Sequence, residues 1–137
     1  MRLGFTFLAM AGEYAPDGRL NVLGGDLDIL VAPSFPATQP SMVLIIKFRL
    51  DDADLLTEHE IRVLIVGPTG EPVVPQVKAH LQIPAKPPRP DMPMGLGLVM
   101  NMGYLSFPAP GDYEWRIELD DDKLETLTLR VEQQNQS

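Results

Sequence analysis

The sequence predicts an all-β fold of about seven or eight short strands closed around one core. Three observations carry that expectation. Turn signals recur every ~8–15 residues, at Asp17-Gly18, Gly24-Gly25, Pro33 to Pro40, Asp51 to Asp54, Pro68-Thr69-Gly70, Pro108 to Gly111 and Asp120 to Asp122. The segments between them alternate apolar and polar residues, the period of a half-buried strand. The 14 prolines among 137 residues are spread over many loops. A helical bundle cannot hold that many, because interior proline removes an amide donor and clashes with the preceding turn.

In chain order, Leu3 to Ala9 reads as the first strand, with Phe5, Phe7 and Ala9 on one face. The stretch imitates a signal peptide, but Met1 to Ala11 is shorter than the ~15–30 residues such signals need. After Gly24-Gly25, alternation puts Asp26 and Asp28 on one face and Leu27 and Ile29 on the other. Leu44, Ile46, Phe48 and Leu50 form an inner row. Their opposite face begins apolar, with Val43 and Ile45, and ends basic, with Lys47 and Arg49. A strand apolar on both faces lies mid-sheet or under a cover. Leu55 to Arg62 accommodates one helical turn at most, and Ile61, Val63 and Ile65 form the next inner row. Pro84 to Pro93 holds five prolines and reads as an extended loop or crossover, since proline cannot join a central ladder. Tyr113 to Leu119 is the clearest strand. Tyr113, Trp115, Ile117 and Leu119 point inward, against Glu114, Arg116 and Glu118. Leu127, Leu129 and Val131 repeat the pattern. Residues 1–132 are expected to form a single β-sandwich domain and 133–137 a polar tail.

The chemistry is sparse. A net charge of −8 argues against nucleic acid, whose affinity rests on lysine and arginine neutralising phosphates. Cysteine is absent, which removes disulfides and thiolate chemistry and favours the cytoplasm. No apolar run approaches 18 residues, so no membrane span is expected. His59 and His80 stand apart, read as exposed strand residues, and have no recognisable catalytic partner. The acidic runs at Asp51 to Asp54 and Asp120 to Asp122 lack the glycine and terminal glutamate of a calcium loop and read as solvated turns. Gly95-Leu96-Gly97 and Gly24-Gly25 lack the lysine and hydroxyl residue of a phosphate loop. Pro84 to Arg89 fits a Pro-x-x-Pro-x-Arg ligand pattern, common by chance in proline-rich loops. Met92, Met94, Met100 and Met102 cluster, and Met100 and Met102 are expected inside the core.

At Phe107, Gly111, Tyr113 and Trp115 the chain resembles an immunoglobulin-like sandwich, in which the tyrosine would make a corner hydrogen bond. That resemblance sharpens the fold to an immunoglobulin-like antiparallel β-sandwich of seven to eight strands, free of disulfides. Gly18 to Gly24, Ser34-Phe35-Pro36, the run to Arg49, and Phe107 to Tyr113 are similar to an uncharacterised bacterial family of small proteins, a domain of unknown function. The resemblance brings no activity with it.

The expected function is a non-enzymatic protein-interaction or structural module of a bacterial cytoplasmic protein, without cofactor or metal. Its expected interaction surface centres on Val43, Ile45, Leu64 and Val66 and is rimmed by Lys47, Arg49 and Arg62. The partner is another protein or a second copy, a homodimer being the simplest form. Pro84 to Pro93 folding over the same face is the intramolecular alternative. A rival reading is a small-ligand binder or hydrolase with a pocket near Asp26, Asp28 and Tyr14.

Overall fold

The structure, a computed structural model, describes residues 1–85 and 94–135. Its strands are β1 (Arg2–Ala9), β2 (Ala11–Tyr14), β3 (Leu20–Leu23), β4 (Ile29–Ala32), β5 (Ala37–Gln39), β6 (Val43–Arg49), β7 (Glu58–Val66), β8 (Val77–Gln82), β9 (Gly95–Asn101), β10 (Leu105–Phe107), β11 (Gly111–Leu119) and β12 (Asp122–Gln133). Among the described residues there is no α-helix, only a 3₁₀ turn at Asp52–Asp54. That turn precedes the Leu55 to Arg62 stretch, which instead enters β7 at Glu58.

One sheet has the order β4-β12-β11-β7-β8, and a second has the order β1-β6-β9. Two ribbons, β2-β3 and β5-β10, complete the fold. The inner rows of the two larger sheets share one apolar cluster. Leu8, Leu44, Ile46 and Phe48 meet Ile61, Val63, Ile65, Tyr113, Trp115, Ile117, Leu129 and Val131 there. The rows expected inside are inside, because alternation over seven to twelve residues leaves a strand one way to bury its apolar face. Met100 and Met102 join them.

Among the described residues the strands number twelve rather than seven or eight. The surplus is short: β2 to β5 and β10 have three or four residues each. Segments that brief are set by the neighbours they pair with, not by a period of their own. The ladders are antiparallel except one. β4 runs parallel to β12, with Ile29 opposite Arg130 and Ala32 opposite Gln133. Leu27 packs on the core while Ile29 is exposed, so the common face expected of them does not form. Leu27 and Asp28 precede β4, which begins at Ile29, so no strand alternation joins Leu27 to Ile29.

Candidate functional site

The expected interaction patch is not one surface. Val43 and Ile45 lie on β6 in the three-stranded sheet, while Leu64 and Val66 lie on β7 in the five-stranded sheet. Val43 is 6% exposed and Ile45 is fully buried. With Ala9 they form a small second core under Phe7, Tyr14, Leu20 and Val99. The cover is the β2-β3 ribbon, whose backbone at Gly12 comes so close that a Cβ would sit 2.8 Å from Ile45 Cδ1. Val66 is also buried, bridged to Pro72, and Leu64 is half-buried. Most of Pro84 to Pro93 lies outside the described residues, as does Met92 of the methionine cluster.

Asp26, Asp28 and Tyr14 do not converge either. Tyr14 pairs with Leu20 at one end of the ribbon, and Ala11 pairs with Leu23 at the other. The chain reaches Asp26 only after Leu23. Asp26 and Asp28 are exposed. Tyr14 covers Gly97, where a Cβ would fall 2.3 Å from its Cζ. Among the described residues its buried hydroxyl finds no partner, and burial pushes the phenol pKa up.

His59 is not an open strand residue. Asp120 and Asp121 have φ of 50° and 72°, which makes the two-residue turn joining β11 to β12 a tight one. The turn sets Asp120 against His59 Nδ1 and lets its second oxygen accept from the Glu60 amide at 2.8 Å. On the other side His59 Nε2 lies 2.8 Å from Thr57 Oγ1. Hydroxyl, imidazole and carboxylate thus stand in line, as in a nucleophilic triad. The Thr57 hydroxyl, however, donates to the Asp54 carbonyl at 2.5 Å. A ring so placed ties the start of β7 to the Asp52–Asp54 turn through Thr57 and to the β11–β12 turn through Asp120. His80 is exposed, 3.8 Å from Glu58. Among the described residues no group of three His, Asp or Glu side chains is placed to hold a metal ion.

β4 ends the five-stranded sheet opposite β8, an edge that the sequence reading missed. Arg130 donates to the Asp28 carbonyl at 2.8 Å, and Gln134 donates to the Ala32 carbonyl at 2.7 Å. Backbone groups alternate sides along a strand, so those of Ile29 and Val31 face away from β12, toward the open edge. Their side chains are 51% and 55% exposed. Pro33 to Pro36 then carries the chain to β5, whose only ladder is to β10. Between β4 and β5 lies a cleft of about 330 Å³. Val31, Pro33 and Pro36 line it, Ser34 and Thr38 add hydroxyls, and buried Phe107 lies at its base. The signal available was the four-residue apolar run Ile29 to Ala32 ending in proline. It is too short to show which face it buries.

The profile of a family described as "Family of unknown function (DUF6941)" matches residues 5–132. The chain belongs to that family. A comparison with curated proteins gives no match.

Proposed function

We propose that this member of the family is a non-enzymatic protein-interaction module that takes an extended segment of a protein partner along β4. The carrying observation is the open β4 edge, with Ile29 and Val31 exposed beside the cleft to β5. An added strand gains backbone hydrogen bonds from such an edge and side-chain specificity from the neighbouring pocket. A second copy is the poorer occupant. Each copy carries a net charge of −8, and Asp26, Asp28 and Glu132 flank the edge, so two copies would set like charges together.

The two larger sheets are also read as an immunoglobulin-like sandwich. Support comes from Tyr113, whose hydroxyl donates to the Ala109 carbonyl at 2.6 Å, the bond that defines a tyrosine corner.

Selection of a displayed random peptide library on the wild type and on Val31→Lys tests the module. The wild type should enrich extended, β-branched sequences. Their binding should slow amide exchange at Ile29 and Val31, and Val31→Lys should lose them. No enrichment, or equal enrichment on both proteins, overturns the reading. Light scattering that shows a stable dimer lost in Val31→Lys replaces the foreign segment by a second copy.

A further inference from the structure

The register of the three-stranded sheet sorts its outer face into rows. Arg2 stands opposite Arg49, and Arg49 opposite Gly95. Phe5 stands opposite Lys47, and Lys47 opposite Gly97. Opposed residues share a face, so Arg2, Lys47 and Arg49 rise from the same side. The β2-β3 ribbon covers the rows around Ile45 and Val43 and reaches Gly97, opposite Lys47, with Tyr14, while Arg2 and Arg49 are exposed and Lys47 is half-buried.

The ion pairs among the described residues engage Arg19, Arg62, Arg116 and Arg130, but not Arg2, Lys47, Arg49, Lys78 or Lys123. Two facts set Arg2, Lys47 and Arg49 apart. Arg2 and Arg49 face each other directly, a like-charge pairing that destabilises a sheet. Lys47 is also built in. Its stem lies over Gly95, where a Cβ would meet Lys47 Cε at 2.6 Å. Its ammonium stands 5.7 Å from the centre of the Tyr14 ring, a cation–π distance. In the turn that follows β6, Asp54 is already engaged by the Met1 amine at 2.9 Å and the Asp51 amide at 2.7 Å. Phe5, 36% exposed and stacked on Phe7 at 5.9 Å, adds an apolar patch beside the cations.

We propose that Arg2, Lys47 and Arg49 form a docking shelf for an acidic, extended peptide segment, separate from the β4 edge. Carboxylates spaced at alternate residues match cations set on adjacent strands, and apolar residues between them reach Phe5. An anionic membrane is the weaker occupant. A plane of negative charge would also meet the exposed Asp51 and Asp52, which follow Arg49 in the chain by two and three residues. A narrow peptide need not.

Fluorescence anisotropy with a labelled peptide alternating glutamate and valine, titrated with the full chain at low salt, tests the shelf. Saturable binding is expected, weakening with added salt and by about tenfold in Lys47→Gln/Arg49→Gln. Gly95→Ala should weaken it too, because it displaces the lysine stem without removing charge. Arg49→Gln should keep or raise the thermal midpoint, since it relieves the opposition to Arg2, so lost binding is not lost folding. No saturable binding, or equal binding by the double variant, overturns the proposal. So does binding to phosphatidylserine vesicles, lost in that variant, without binding to the peptide. Val31→Lys leaves the shelf intact, so failure here and failure at β4 are read separately.

Discussion

Trp115 is fully buried in the core with Phe107 6.5 Å away, ring centre to ring centre. Trp115→Ala is expected to cost about 3–5 kcal/mol in urea denaturation, as large aromatic truncations do. Among the described residues the Trp115 Nε1 finds no hydrogen-bond partner, and a buried unpaired donor is itself a cost. Trp115→Phe keeps most of the ring volume and deletes that donor, so it should cost less than half as much. At His59 the sequence and the structure part. Alternation placed it on a strand, but Asp120 is 61 residues away, and no local pattern reports a contact at that range. His59→Ala should therefore destabilise by about 1–2 kcal/mol, while His80→Ala should stay within about 0.5 kcal/mol. The hydrogen bond from His59, helped by the Glu60 amide, holds the Asp120 carboxyl below the usual carboxylate range. A carboxyl lowered in the folded state contributes stability above its unfolded value of about 3.9 and loses it as pH falls through the lower folded value. The stability gap between wild type and Asp120→Asn should therefore be full at neutral pH and close in strong acid. A gap constant over that pH series would refute the assignment.

At the scale of elements, the decisive piece is the β2-β3 ribbon. The sequence showed that Val43 and Ile45 need a cover, because β6 is apolar on both faces. It did not show which segment provides one. The ribbon's strands are four residues long, and its exposed Leu23 and Val22 hide the inward role of Tyr14 and Leu20. Ile45→Glu is expected to unfold or strongly destabilise the chain, since it buries an unpaired charge, rather than to split a dimer. Circular dichroism and light scattering on one sample distinguish the two. Gly97→Ala should act more gently. Its methyl takes the place of the Tyr14 ring, so amide exchange should speed up across Ala11 to Tyr14 while the Trp115 core stays protected.

For the whole molecule, most of the sheet composition was legible, because long alternating strands with buried rows leave little choice of face. The pairing was not. β4 finds β12 about a hundred residues further along the chain, and that distance also governs when the edge exists. At a synthesis rate of ~10 residues per second, Ile29 and Val31 are made on the order of ten seconds before Arg130 and Glu132, their partners in the parallel ladder. Throughout that interval β4 has neither flank paired, and a strand offered from outside can occupy the side that β12 later takes. Of the ladders among the described residues, this one joins the strands furthest apart in the chain, so Ile29 to Ala32 wait longest for their own partner strand.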